Sequence, residues 1–288
     1  MRKITAFLCA VIMCVTCACG CQHTADMHTT QPTSLTATPD ETTIVSTTVA
    51  ATTVEATTAP TEPSDEPERP EYVSHKATGD EAGKYKYVAF SFDDGPHYDL
   101  TYKFVDKLAQ YGGVGTFYVV GNRVKGKQAD AVKYAFDKGN EIGVHAWTHT
   151  KYYNTCSDSV FRSELDKTDD VIRKVTGVKP ISMRPVGGAI TNERVKSSGY
   201  AVVIWNVDSN DWRYSSSAKG NVDTIVNNVM RSVSDGDIIL MHEIYYNSYD
   251  AFCIIADRLY KQGYRFITVE ELLDLKEADR GTRYYSAK

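Results

Sequence analysis

Eight polar side chains of this 288-residue chain stand where apolar runs stop. Asp93 and Asp94 end one run, His145 and His149 follow a second, Arg184 ends a third, Asp208 and Asp211 a fourth, and His242 a fifth. Singly, each has an ordinary explanation: Asp-Asp-Gly-Pro makes a good turn, a lone histidine is commonly a satisfied core residue, and an arginine pairs locally. Together they can carry metal chemistry. His145 and His149 are four apart, a spacing that lets two imidazoles reach one ion from a single turn of chain. No glutamate follows His145, so the H-E-x-x-H arrangement of metalloproteases is absent and a third ligand must come from elsewhere, a carboxylate being the expected type. Asp93 and Asp94 are adjacent, so if one side chain takes the metal, the other points differently and can serve as a base. Two histidines and one carboxylate leave positions open for water and a substrate oxygen, which suits hydrolysis at Zn²⁺. The same set fits non-haem iron, so ligand type alone leaves the reaction open.

These residues need a scaffold that gathers them. Residues 87–92 (YVAFSF) form an apolar run followed by helix-period apolar residues over 99–110. The pattern recurs at 115–120 before 129–137, at 141–145 before 158–175, and at 181–184 before 192–198. Further runs are 201–207, then 237–241 before 249–261, and 265–269 before 270–275, with 222–233 reading as a helix. About seven such units imply a parallel sheet. No Gly-x-Gly-x-x-Gly follows the first strand, so the pattern predicts an α/β fold built as a distorted (β/α) barrel rather than a dinucleotide-binding doubly wound sheet. In a parallel barrel all strand ends share one face, which would bring the eight residues to one rim.

Composition locates this domain within the chain. Residues 1–21 begin with Arg2 and Lys3, run uncharged from 4 to 20, and end Ala-Cys-Gly-Cys, the pattern of a secretory signal too short to span a bilayer. Residues 22–78 hold nine acids against two bases, threonine at fifteen positions from Thr24 to Thr61, and prolines at 60, 63, 67 and 70. Such a segment buries too little apolar surface to offset its ordering entropy, and it reads as a disordered stalk. Residues 79–288 carry 28 charges of each sign, so no basic field exists to hold a nucleic acid. Five of the seven cysteines fall in residues 1–21, which excludes a disulfide framework and leaves Cys156 and Cys253, read as free thiols. Nothing in the sequence signals an oligomeric state.

The order S-F-D-D-G-P (residues 91–96), H-A-W-T-H (145–149), R-P-V-G-G (184–188), D-S-N-D-W (208–212) and L-M-H (240–242) resembles the five motifs of polysaccharide deacetylases, carbohydrate esterase family 4 or NodB homology domain. The resemblance covers roughly residues 85–275. It sets the domain at 79–275, with 276–288 as a C-terminal tail, and implies metal-dependent removal of acetyl groups from sugars. The expected substrate is N-acetylglucosamine in peptidoglycan or a chitin-like glycan, with acetylated xylan as the alternative and a non-catalytic glycan-binding module as a third reading. Residue by residue, the resemblance implies Asp93 as general base, with Arg184 orienting it, and Asp94, His145 and His149 as ligands to one divalent ion, Zn²⁺ first and Co²⁺ or Ni²⁺ as substitutes. It further implies His242 as the acid paired with Asp211, Trp212 and Leu240 as walls of the acetyl pocket, and Gly187 as the backbone donor to the carbonyl oxygen. Asp208 is expected only to brace its loop. The end of the signal resembles a bacterial lipoprotein cleavage box, with Cys21 lipidated, Cys19 as second candidate and plain secretion as third. The expected location is therefore the outer face of the bacterial membrane.

Three positions, in two of the motifs, depart from the family pattern. Val186 and Gly187 replace a proline and an aromatic residue, which leaves the backbone donor but removes the ring that would wall the site. Ala146 replaces a serine or threonine after the first ligand histidine, with Thr148 as the candidate substitute. Tyrosines cluster after the motifs: Tyr98, Tyr152, Tyr153, Tyr214, Tyr245, Tyr246 and Tyr249. They read equally as sugar-stacking subsites, Tyr98 and Tyr214 foremost, or as packing between loops.

Overall fold

The computed structural model describes residues 74–214 and 221–288. The expected signal, the lipidation candidates Cys21 and Cys19, and the linker up to residue 73 lie outside the described residues. Among these, β1 (Lys86–Asp93) leads through α1 (Leu100–Ala109) to β2 (Thr116–Val120), α2 (Lys127–Asp137), β3 (Glu141–Ala146) and α3 (Asp158–Thr176). The chain continues through β4 (Ser182–Met183), α4 (Asn192–Ser197), β5 (Ala201–Val203), β6 (Val207–Asp208), α5 (Val222–Met230) and β7 (Asp237–His242). It ends with α6 (Tyr246–Lys261), β8 (Tyr264–Phe266), α7 (Val269–Leu273) and β9 (Arg283–Tyr284). The sheet runs β6-β7-β1-β2-β3-β4-β5-β9, every pair parallel, with β8 pairing only Lys86–Val88 at the start of β1.

Period-two alternation splits the core into two layers. Val88, Phe90 and Phe92 of β1, Phe117 and Val119 of β2, Val144 of β3 and Ile239 and Met241 of β7 face the helices and pack with residues such as Phe104, Leu165 and Phe252. Phe90 meets Phe252 edge-on at 5.0 Å between centroids. The opposite face, with Ala89, Tyr118, Ile181, Val203 and Ile238, forms the smaller interior cluster. Gly143 is required there: a Cβ would lie 2.5 Å from the Tyr118 ring. The same alternation sends Ser91 and Asp93, Gly143 and His145, Leu240 and His242 inward, so each strand presents a polar group at the C-terminal end of its interior face.

The architecture is the expected distorted barrel, with two differences in detail. Residues 201–207, expected as one strand, divide into β5 and β6 at different positions in the sheet. Only Ile204, Trp205 and Asn206 join them, a reach of about 14 Å at most, so the sheet curls until β5 and β6 come close without pairing. Asn206 breaks the strand because its side chain serves β7 instead, its Oδ1 accepting from the Ile238 N–H at 2.9 Å. Residues 276–288, expected as a tail, supply β9. The N–H groups of Val202 and Ile204 donate to the carbonyls of Thr282 and Tyr284, both at 2.8 Å, and Ala287 N–H reaches Gly236 O at 2.9 Å.

A chain ending at residue 281 loses these three bonds, worth on the order of 3 kcal/mol in total. The expected outcome is a Tm lower by roughly 6–12 °C in calorimetry. An unchanged Tm would reduce β9 to decoration.

Candidate active site

In the register of β1, Asp93 lies beside His242 of β7 on one side and Tyr118 of β2 on the other. The chain then turns sharply: Asp94 sits at φ 71°, a left-handed conformation uncommon for any residue but glycine, and His149 at φ 58°. Backbone strain of this kind persists where the surroundings over-determine it. Its result here is that Asp94 Oδ1 lies 3.0 Å from His149 Nε2 and 3.4 Å from His145 Nε2. One ligand atom from each residue falls within 4.8 Å of the others. Asp94 Oδ1 is buried and has no hydrogen-bond partner. His145 Nδ1 is 2.7 Å from the Arg184 carbonyl, which only accepts, so Nδ1 carries the proton and Nε2 offers its lone pair. One carboxylate oxygen and two imidazole nitrogens thus converge, a donor set that fits a divalent cation. Burial opposes ionisation of Asp94, but the two facing imidazoles outweigh it and hold its carboxyl well below the ordinary carboxylate range.

Asp93 stays outside this triad. Its Oδ1 accepts from the Arg184 guanidinium at 2.9 Å, while its Oδ2 is 4.0 Å from His145 Nε2. On the other flank His242 Nδ1 meets Asp211 Oδ1 at 2.7 Å. Asp211 is fixed by three further donors: the His242 N–H at 2.7 Å, the Trp212 N–H at 2.9 Å and the Ser248 hydroxyl at 2.7 Å. Burial pulls the His242 pKa down, but the charge and hydrogen bond of Asp211, with Asp93 and Asp94 beyond, push it up to about 9.

The remaining expected residues divide. Leu240 is buried on the interior face beside Ser91, whereas Trp212 is exposed with the Arg213 guanidinium 4.8 Å above its ring. Gly187 sits at φ 59° in a single 3-10 turn whose own bonds are Gly188 N–H to Pro185 O and Ala189 N–H to Val186 O, so its N–H takes no part in them. Asp208 Oδ1 accepts from the Asn210 N–H at 2.7 Å, a bond internal to its loop. The tyrosines separate by exposure: Tyr98, Tyr152 and Tyr246 are exposed, Tyr214, Tyr245 and Tyr249 are half-buried, and Tyr153 is fully buried.

Several supporting groups were not foreseen. Glu164 of α3 accepts from the N–H groups of Trp147 and Thr148 at 2.8 and 2.9 Å and from the Thr148 hydroxyl at 2.8 Å. It holds the loop immediately before His149, and the Thr148 hydroxyl is one of its donors. The legible signal was a carboxylate three residues after Phe161, on the helix face that buries Leu165, Thr168 and Ile172. Glu243 lies under the Asp94 turn, bonded to the Thr101 hydroxyl, in space left by Gly95; burial pushes its carboxyl up to about 8. Arg123 donates to the Asp94 carbonyl. For neither Glu243 nor Arg123 is there a local signal.

Glu164→Ala is expected to weaken Zn²⁺ affinity about 10- to 100-fold in chelator competition, the usual effect of removing a group that orients ligands. Glu164→Gln, which keeps an acceptor, should retain most of the affinity. Equal affinity in all three proteins would detach Glu164 from the metal site.

The polysaccharide deacetylase family model matches residues 80–203. The chain is 35% identical over 192 residues to a peptidoglycan-N-acetylmuramic acid deacetylase of Bacillus subtilis, covering 67% of this chain and 40% of that protein. It is 35% identical to a peptidoglycan-N-acetylglucosamine deacetylase of Bacillus cereus, over 66% of this chain and 90% of that one. Among solved structures, a family 4 acetyl xylan esterase from Clostridium thermocellum with a cobalt ion superposes with a TM-score of 0.63 at 31% identity, covering 70% of this chain and 98% of that chain. The chain thus spans about two fifths of the Bacillus subtilis relative and nearly all of the other two. Five motifs in order, their convergence on one rim and this similarity lead to one conclusion: the chain belongs to the polysaccharide deacetylase family.

Proposed function

We propose that this protein removes acetyl groups from an extracellular polysaccharide, chiefly from N-acetylglucosamine in peptidoglycan or a chitin-like glycan, with a divalent cation held by Asp94, His145 and His149. The observation that carries the reading is the placement of two charge couples of opposite task, Asp93 with Arg184 and His242 with Asp211, on neighbouring strands beside that triad. Zn²⁺ suits the nitrogen and oxygen donors, and the cobalt-bound relative supports a divalent ion. Bound there, such an ion supplies a Lewis acid that polarises the acyl carbonyl and acidifies water.

The protein's own groups carry the rest. Asp93, aimed by its hydrogen bond from Arg184, takes a proton from the attacking water as its oxygen bonds to the acyl carbon. The Gly187 N–H receives the developing negative charge on the carbonyl oxygen. His242, with Nδ1 tied to Asp211, delivers its Nε2 proton to the sugar nitrogen as the C–N bond breaks, leaving acetate and a free amine. The same groups serve an ester, with an alkoxide oxygen in place of nitrogen; the acetyl xylan esterase likeness favours O-deacetylation of xylan as the second reading. The basic and apolar start of the chain supports export, and the Thr/Pro-rich linker supports a tether through Cys21, or Cys19, to the membrane surface.

Acetate release from peptidoglycan, chitooligosaccharides and acetylxylan, measured in parallel, tests the reading; no release from any of them sinks it. Asp93→Asn should cut kcat by two orders of magnitude or more with the metal retained, and metal loss in that variant would move Asp93 into the ligand set. Because His242 acts protonated, activity falls as pH rises through its pKa, at or below about 9 once a cation adds its charge. Asp211→Asn removes the charge that raises this value, so the alkaline limb moves to lower pH; an unmoved limb would exclude His242 as the acid.

A further inference from the structure

The turn carrying Gly187 has rings on both sides. A Cβ at Gly187 would lie 3.0 Å from Cε1 and 3.7 Å from Cδ1 of Tyr152, the only side chain within 4 Å of that point among the described residues. A Cβ at Gly188 would lie 3.2 Å from the Trp205 ring. Each glycine has a positive φ, 59° and 70°, so the turn brings its bare backbone against these rings. Tyr152 therefore occupies the volume that a side chain at position 187 would otherwise take.

Its backbone is firmly held. The next residue, Tyr153, is fully buried, bridges to Ile190 after the glycine turn, and donates its hydroxyl to the His145 carbonyl at 3.1 Å. Arg194 donates to the Tyr153 carbonyl at 2.7 Å, and the Tyr152 carbonyl accepts from the Cys156 N–H at 3.1 Å. Tyr152 as a residue is nonetheless 57% exposed. A firmly held backbone presents this largely open ring, and such pre-placed rings lose little entropy when they bind a ligand. The ring lies against a turn whose Gly187 N–H is unused by the turn itself. An apolar face beside a lone amide donor matches an acetamido sugar, whose ring offers C–H groups to stack and whose acyl oxygen accepts a hydrogen bond.

We infer that Tyr152 is a specificity-determining residue of this site, its ring stacking on the N-acetylated sugar whose carbonyl meets Gly187. The inference rests on the deacetylase reading and says which loop supplies the wall that Gly187 cannot. The full chain, Tyr152→Ala and Tyr152→Phe are compared on N-acetylglucosamine pentamer and on a sugar-free aryl acetate, together with calorimetric binding of the pentamer to each protein. Tyr152→Ala should raise KM and Kd for the pentamer about five- to tenfold, the size of a lost aromatic contact, and lower the pentamer-to-aryl-acetate ratio of kcat/KM. Tyr152→Phe should stay within about twofold, since the ring and not the hydroxyl is used. Pentamer KM and Kd unchanged in Tyr152→Ala would overturn the inference, as would an equal loss on both substrates. Wild-type binding without acetate release would instead overturn the deacetylase reading, and the Kd comparison would still decide for or against Tyr152.

Discussion

Arg184 carries a permanent charge with no solvent exposure, a state tolerated only when the guanidinium is fully engaged, and much of the site follows from how it is engaged. Its Nε and one terminal nitrogen donate to the carbonyls of Val203 and Ile204 at 3.2 and 2.9 Å, and the other terminal nitrogen serves Ser91 at 2.8 Å and Asp93 at 2.9 Å. The Tyr118 ring lies 4.4 Å from its central carbon. Its own carbonyl accepts from His145 Nδ1, so one residue fixes both the orientation of the Asp93 carboxylate and the tautomer of His145. Strands β1, β3 and β5 are thereby tied to the β4 end through one side chain and its backbone.

The electrostatics separate along the same lines. Asp94, facing two imidazoles, is held ionised, and His242, facing Asp211, is held protonated. Pushing neighbouring groups apart in this way lets one pocket hold an ionised carboxylate and a protonated imidazole at the same pH. Asp211 is buried, so its influence on His242 is little screened by solvent.

Around this buried centre the rim is aromatic and open. His97 stacks on Tyr98 at 4.5 Å and lies 6.2 Å from Tyr246 on one flank, while Trp212 carries Arg213 over its ring. Tyr153 and Tyr249 serve packing instead: Tyr153 is clasped between loops, and Tyr249 meets Phe104 edge-on at 5.3 Å. Packing thus accounts for Tyr153 and Tyr249, whereas Tyr98, Tyr152 and Tyr246 stand exposed.

Most of the fold and the centre of the site were legible because their signals are local. Apolar runs with turn residues after them place Asp93 and Asp94 at a strand end, the four-residue spacing pairs His145 with His149, and alternation sends one face of each strand inward; all three are set by neighbours in sequence. What the sequence could not decide depended on distant pairings. Nothing near residues 204–206 states that Asn206 will bond Ile238 and so divide one apolar run into two strands. Nothing in residues 276–288 names β5 as a partner. The supports Glu164 and Ser248 act across helices, and Tyr152 acquires its place only when the loops after β3 and β4 are clasped together. The sequence by itself determined which residues can do the chemistry, since type and spacing are local; the tertiary structure decided which groups aim them, because aim depends on contacts between segments far apart in the chain.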